Sequence, residues 1–172
     1  MKDKNGPESR QNVRQPIGRG GALSMKVIFL DLDGVMINGS YQNLSSEYDG
    51  YAFNPSSVDH LKQIIDQTGA YIVVTSTYRK AGFSFLKKMF ESNGITQGLI
   101  GQTPILAYHS RGREIQQYID ESRLDPALTV EKFVIIDDHD DMGELMPYLV
   151  QTTWHSGLDE EAKNKAIQML QD

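Results

Sequence analysis

The stretch "VIFLDLDGVMING", residues 27–39, decides how the rest of the chain is interpreted. Four apolar residues lead directly into Asp31 and Asp33, and Gly34 follows them. A continuous apolar run is typical of a strand that is covered on both faces, as in a parallel sheet. Residues i and i+2 of a strand point to the same side, so we expect the two carboxylates in one place. The stretch therefore predicts a buried strand that ends in paired acids.

Strand-like and helix-like segments alternate outward from this stretch. Apolar runs predict strands at 26–32, 70–76, 98–102, 132–138 and 148–152. Helical spacing of apolar residues predicts helices at 55–69, 83–94, 112–124 and 158–170. This alternation predicts an α/β fold, a three-layer, doubly wound, Rossmann-like parallel sheet with helices on both faces. In such sheets a ligand binds beyond the carboxyl ends of the strands.

Length and composition restrict the class of protein. A chain of 172 residues is long enough for one domain with a substantial core. The absence of cysteine excludes disulfides and cysteine-ligated zinc. No apolar run approaches the roughly 20 residues that span a bilayer, and the N-terminus lacks the apolar core of a signal peptide. We therefore expect a cytoplasmic protein.

Charge and composition divide the chain into two parts. Residues 1–24 are polar, rich in glycine and carry five Lys/Arg against two Asp/Glu, which predicts a disordered tail. Residues 25–172 form the predicted folded domain. Because the whole chain has a net charge of −6, this domain is acidic, which argues against broad nonspecific binding of nucleic acid.

Three of the predicted strands end in polar side chains. These are Asp31 with Asp33, the run Thr75–Thr77, and Asp137 with Asp138. Carboxylates brought together repel each other unless a proton or a cation intervenes, and oxygen ligands suit Mg²⁺. Hydroxyl groups and the N–H groups of a turn suit phosphate oxygens. A cation is then needed to offset charge on a phosphoryl group, and the candidates are Arg111, Arg113 and Arg79.

Four short motifs, in order along residues 25–172, resemble those of the haloacid dehalogenase (HAD) superfamily of phosphohydrolases. They are "DLDGV", "VVTST", "SRGREI" and "VIIDDHDDM". The run from "RGREI" to "LVQTTWHSGL" further resembles a subgroup of small HAD domains, including those fused in bacterial multidomain RNA-repair proteins.

The resemblance implies a role for each matched residue. Asp31 would be the nucleophile and form an aspartyl-phosphate. Asp33 would act as general acid and then as general base, and its backbone carbonyl would bind Mg²⁺. Ser76, the Thr77 amide and Gly34 would bind the phosphoryl group.

The resemblance also implies the cations of the site. Arg111 would take the place of the usual lysine of the third motif. Asp31, Asp33 and Asp138 would hold Mg²⁺, with Asp137 as a supporting ligand. Several alternatives stay open, namely Arg113 or Arg79 for Arg111, Asp141 for the fourth-motif ligand, and Thr75 for Ser76.

The spacing of the motifs leaves no room for a large cap domain. Forty-five positions separate Asp31 from Ser76, and 35 separate Ser76 from Arg111. By resemblance, capless members act on large substrates because the cleft stays open. We expect a Mg²⁺-dependent phosphatase that acts on a nucleotide or a nucleic-acid-end phosphate monoester. The alternatives are a phosphoprotein phosphatase and a catalytically idle HAD-like binding or regulatory module.

Overall fold

A computed structural model describes residues 24–172, so the predicted disordered tail, residues 1–24, lies outside the described residues except for Ser24. The α/β prediction is confirmed. All five strands are parallel, in the spatial order β3-β2-β1-β4-β5. They are β1 (Met25–Leu30), β2 (Tyr71–Val74), β3 (Leu99–Gln102), β4 (Val130–Asp137) and β5 (Leu149–Gln151).

Helices cover both faces of the sheet. The α-helices are α1 (Pro55–Thr68), α2 (Phe83–Ser92), α3 (Arg111–Ser122) and α4 (Glu160–Gln171), and 3-10 helices span Thr77–Ala81 and Gly143–Tyr148. The apolar sides of α1, α2 and α4 pack in one core cluster, and α3 packs in another with the second 3-10 helix. Among the described residues, no cap domain interrupts this arrangement, and no helix is both long and apolar enough to cross a membrane.

The apolar run before Asp31 is explained by burial on both sides of β1. Val27 and Phe29 face the cluster that contains α3, whereas Ile28 and Leu30 face the cluster that contains α1, α2 and α4. All four side chains have 0% exposure. A central strand between two helical layers needs apolar residues at every position, as the sequence has here.

The segment between β1 and α1 folds back as a short hairpin-like excursion. Antiparallel bridges pair Asn38 with Tyr41 and Leu44 with Tyr51. The buried Tyr48 donates its hydroxyl proton to the Tyr51 carbonyl at 2.7 Å. Its ring meets Phe85 of α2 edge-on, with ring centroids 6.1 Å apart, so the excursion is docked against α2.

The parallel register places three strand ends at the same level. Leu30, the last residue of β1, pairs with Val74 of β2 and with Ile136 of β4. The next residue of each strand path is therefore Asp31, Thr75 or Asp137. The two neighbours of the central strand thus bring their functional groups to the side chain of Asp31.

Candidate active site

Three carboxylates meet at the carboxyl edge of β1 and β4. Asp31, Asp137 and Asp138 each offer an oxygen that lies within 4.8 Å of the others. Asp31 continues the ladder, because its N–H donates to the Ile136 carbonyl at 3.0 Å. Asp31 is 5% exposed and Asp137 is 1% exposed, so both carboxylates are shielded from bulk solvent.

The turn after β1 brings the backbone against one of these acids. Gly34 has a φ of +81°, and a Cβ atom at this position would overlap the Asp138 carboxylate. Glycine is therefore required for both the backbone conformation and the close approach. The Gly34 carbonyl accepts a hydrogen bond from the Thr152 hydroxyl at 2.6 Å. Thr152, beyond β5, was not singled out in the sequence because this contact spans 118 positions.

The expected phosphate-binding role of Gly34 is not supported by its contacts. The Gly34 N–H donates to the Ile37 carbonyl at 2.7 Å, inside the same turn. An N–H that closes a turn has no second proton to offer to a phosphate oxygen. The Gly34 N–H is therefore used inside the turn, and the close approach of its backbone to Asp138 is the contact that requires glycine.

Arg111 is the arginine that reaches the carboxylates. Its Nη1 lies 3.2 Å from Asp31 Oδ1 and 3.0 Å from Asp137 Oδ2, and it donates to the Thr75 hydroxyl at 3.1 Å. Arg113 is exposed and lines a separate cavity along α3. Arg79 is buried and forms its ion pair with Glu114. The three arginines that the sequence left open thus have three different surroundings.

The first turn of α3 is anchored to the loop after β4. The Arg111 N–H donates to Asp141 Oδ2 at 3.1 Å, and the Gly112 N–H donates to the Asp141 carbonyl at 3.2 Å. A Cβ atom at Gly112 would overlap the backbone of Met142. Asp141 therefore anchors the helix that carries Arg111, and it lies outside the cluster of three carboxylates.

The hydroxyl groups after β2 have separate partners. Thr75 Oγ1 accepts from Arg111, whereas Ser76 Oγ accepts from the Tyr78 N–H at 3.3 Å and caps the 3-10 helix that begins at Thr77. The sequence argument favoured Ser76 by register. In the structure Thr75 is level with Asp31, because the Thr75 N–H donates to the Leu30 carbonyl. Both hydroxyls are buried beside the candidate site.

The buried carboxylates hold protons more strongly than free ones. Burial, together with the negative charge of Asp31, raises the pKa of Asp137 to about 8. Burial also raises the pKa of Asp31, although the Arg111 guanidinium opposes that change. Desolvation alone would lower the pKa of Arg111, but the carboxylates of Asp31 and Asp137 raise it overall.

Asp33 lies at the exposed margin of the cluster. Its partial burial, followed by the charges of Asp31 and Asp138, raises the pKa of its carboxyl group. A carboxyl group with a raised pKa retains a proton closer to neutral pH, which is what a general acid requires. Asp33 thus lies beside the buried acids, but it is not one of the three carboxylates that converge.

The donor set fits a hard divalent cation. Asp138 Oδ1 is buried and has no hydrogen-bond partner among the described residues, and the His139 Nε2 atom lies 3.8 Å from it. Both oxygens of Asp137 are engaged, one by Arg111 and one by the N–H of His139 at 2.9 Å. The Arg111 guanidinium pairs with Asp31 and Asp137 only, so the cluster of three carboxylates keeps an excess of negative charge and one oxygen without a hydrogen-bond partner. Both features favour an oxygen-bound divalent ion.

Comparison with known families identifies a match over most of the chain. A family model described as "HAD domain in Swiss Army Knife RNA repair proteins" matches residues 27–162. This range contains all four motifs and every strand except the first two residues of β1. No curated protein matches the chain.

Proposed function

Because the chain belongs to the family of HAD domains in Swiss Army Knife RNA repair proteins, we propose that its carboxyl-edge site is a Mg²⁺-dependent phosphatase site. Membership in this family indicates a phosphohydrolase. The observation that carries the proposal is the grouping of Arg111, Asp31 and the unpartnered oxygen of Asp138. It combines a nucleophile, a cation for the phosphoryl group and a carboxylate oxygen that accepts no hydrogen bond in one place.

Asp31 and Asp138 are the residues that would hold the metal, with the backbone carbonyl of Asp33 beside them. Asp137 would not be a direct ligand of the metal. Its two oxygens already accept hydrogen bonds from Arg111 and from the His139 N–H, so its role is to orient Arg111 and the loop at His139. When bound, Mg²⁺ would supply positive charge that offsets the phosphoryl oxygens and the clustered carboxylates.

The residues of the chain then account for two successive displacements. A carboxylate oxygen of Asp31 attacks phosphorus, a bond forms between them, and the bond from phosphorus to the leaving oxygen breaks. Asp33 donates its proton to that leaving oxygen. In the second step Asp33 takes a proton from water, whose oxygen attacks phosphorus and displaces the Asp31 carboxylate as inorganic phosphate is released. Arg111 offsets charge on the phosphoryl oxygens in both steps.

A phosphate monoester at the end of a nucleic acid is the substrate we favour, followed by a free nucleotide. The description of the family refers to RNA repair proteins. In the described residues no cap domain covers the carboxyl edge, so a long chain could approach Asp31 without being enclosed. A phosphoprotein would fit the same open edge, and the assay below separates these substrates.

The test is hydrolysis of an aryl phosphate with Mg²⁺ or with EDTA, by the protein and by Asp31→Asn. We expect metal-dependent turnover that falls by at least about 10³-fold in the variant, because the amide is not a nucleophile. Asp140→Asn is the matched control, because Asp140 is an exposed acid in the loop after β4. It should keep its turnover.

Active protein is then compared on 3′- and 5′-phosphorylated oligonucleotides, nucleotides and a phosphopeptide. Preference for oligonucleotides over nucleotides would support the substrate assignment, and preference for the phosphopeptide would contradict it. Equal turnover by Asp31→Asn and the wild type would contradict the mechanism. If neither protein turns over any substrate and BeF₃⁻ does not raise the melting temperature, the domain is an idle binding module.

A further inference from the structure

A second ion pair lies just behind the candidate site and plays no part in the mechanism above. Arg79 Nη2 lies 2.9 Å from Glu114 Oε2, and both side chains are almost completely buried, at 4% and 7% exposure. Taking two charges out of water is costly, and an apolar pair of similar volume would usually be at least as stable. The attraction between the two charges therefore does not explain why the protein has this pair, and the hydrogen bonds that the pair makes are the better explanation.

The pair connects three separate segments of the chain. Arg79 Nε donates to the Ser76 carbonyl at 2.7 Å, at the turn after β2. Arg79 Nη1 donates to the carbonyls of Thr103 and Pro104 at 3.1 and 2.8 Å, in the loop after β3. Glu114 Oε1 accepts the N–H of Leu106 at 3.0 Å. An apolar pair could fill this space but could make none of these hydrogen bonds.

Arg79 sets the orientation of the peptide group between Ser76 and Thr77. The Ser76 carbonyl accepts from both the N–H and the Nε of Arg79, at 3.0 and 2.7 Å. In a trans peptide the N–H points opposite to the carbonyl, so the Thr77 N–H is directed away from Arg79. Thr77 is the first residue of its 3-10 helix, and its N–H therefore has no acceptor within that helix.

Glu114 acts on Arg111, the second group that the proposal assigns to phosphoryl binding. It lies three residues after Arg111, on the same side of the first turn of α3. The helix is thereby held at two points, by Asp141 at its start and by Arg79 at Glu114. A displacement of Glu114 would move Arg111 relative to Asp31, from which it is 3.2 Å away.

We infer that the Arg79–Glu114 ion pair is a positioning element that holds the Ser76–Thr77 peptide group and the Arg111 guanidinium in one arrangement around the phosphoryl group. The inference rests on the proposed phosphatase function. The hydrogen bonds and ion pairs of Arg79 and Glu114 do not include Asp31, so the pair acts through the groups it holds. Misplacement of a catalytic group by about 1 Å can cost about 100-fold in rate.

The test compares Glu114→Gln, Arg79→Lys and the double variant Arg79→Met with Glu114→Leu. Glu114→Gln keeps an oxygen for the Leu106 N–H, and Arg79→Lys keeps a charge but loses the planar fork. The apolar double variant removes the charges without leaving one unpaired, so it should fold. Lys163→Gln is the control, because Lys163 is a buried cation that binds Gln63 at 3.1 Å between α4 and α1.

The measurements are kcat and KM for an aryl phosphate and the Kd for inorganic tungstate by calorimetry, each at a temperature where circular dichroism shows folded protein. We expect kcat to fall by about 10- to 100-fold in all three variants with KM changed less than about threefold. Tungstate binding should weaken by about tenfold in the same three variants. Lys163→Gln should lose thermal stability but keep kcat and tungstate affinity.

The outcomes separate this inference from the proposed function. If the wild type is active and the apolar double variant keeps its kcat and tungstate affinity within twofold, the pair contributes only to stability and the inference is wrong. If the wild type has no turnover on any substrate, the proposed function fails. The tungstate affinities then still decide the positioning role, because a loss confined to the three variants would support it and equal affinities would overturn it.

Discussion

Arg79 and Arg111 are both arginines that pair with carboxylates near the end of β2, yet their surroundings differ in one decisive way. Arg79 has one carboxylate partner, and its remaining hydrogen bonds go to the backbone and the hydroxyl of nearby loops. Arg111 faces two carboxylates and keeps 16% of its side chain exposed. A cation whose donors all have protein partners has a structural task, whereas one placed at an excess of negative charge is available to a ligand.

Removal of Arg79 should have the largest effect on stability. Arg79→Ala leaves the Glu114 carboxylate buried without its cation, which should lower the free energy of unfolding by about 3–5 kcal/mol. Urea denaturation monitored by circular dichroism measures this loss. Arg123→Ala is the control, since Arg123 pairs with Asp120 at the surface, with side-chain exposures of 63% and 55%. We expect Arg123→Ala to lower the free energy of unfolding by less than about 1 kcal/mol. An equal loss in both variants would contradict the distinction between the buried and the exposed ion pair.

Removal of Arg111 should instead have its main effect on turnover. Arg111→Ala should lower kcat for an aryl phosphate by about 10²- to 10³-fold, because charge on the transferring phosphoryl group is no longer offset. Arg111→Lys should recover part of this loss, since it restores the charge without the planar fork. Arg113→Ala, an exposed arginine two residues away, should remain within about twofold of the wild type. Equal losses at positions 111 and 113 would contradict the assignment of Arg111.

The last expected effect is a dependence of the stability of the metal-free protein on pH. The pKa of Asp137 is raised in the folded state to about 8 from an ordinary value of 3.8, so the folded state binds more protons than the unfolded state between these values. The stability of the metal-free protein therefore falls as the pH rises through this window.

Thermal melts of the wild type and Asp137→Asn in EDTA, at pH 5 and pH 8, measure this effect. Asp137→Asn keeps an oxygen for the His139 N–H and cannot ionise, so its stability relative to the wild type should increase with pH. Mg²⁺ should reduce the difference in melting temperature between the two proteins at pH 8, where more of the carboxylates are ionised than at pH 5. A difference between the two proteins that does not change with pH would show that Arg111 alone compensates the charge of Asp137.

The sequence predicted the fold and the meeting of Asp31 with the acids at the end of β4, because both depend on local patterns. Apolar runs mark buried strands whatever their partners, and the order of strands and helices restricts the topology. The neighbours of Arg79 and Arg111 could not be predicted in this way. The Arg79–Glu114 contact spans 35 positions and the Arg111–Asp137 contact spans 26, and no periodicity in the chain indicates which cation binds which acid.

Thr75 and Asp141 show the same limit of prediction from the sequence. The sequence argument favoured Ser76 over Thr75 by an expected register with Asp31, but the pairing of Leu30 with Val74 sets the actual register and puts Thr75 level with Asp31. Asp141 has a spacing that suits a metal ligand, and it is used instead to hold the first turn of α3. Spacing alone does not distinguish a ligand from a helix anchor.

The central position of β1 has a consequence for synthesis on the ribosome. One side of β1 can pair with β2 once residue 74 has emerged, but the other side pairs with β4, which begins at Val130. Until then, the nascent chain carries an apolar strand with an unpaired edge, and exposed edges of this kind recruit other strands. The carboxylate cluster is incomplete over the same period. A protein truncated before β4 is therefore expected to aggregate and to require a chaperone, and its solubility during translation depends on the last quarter of the chain.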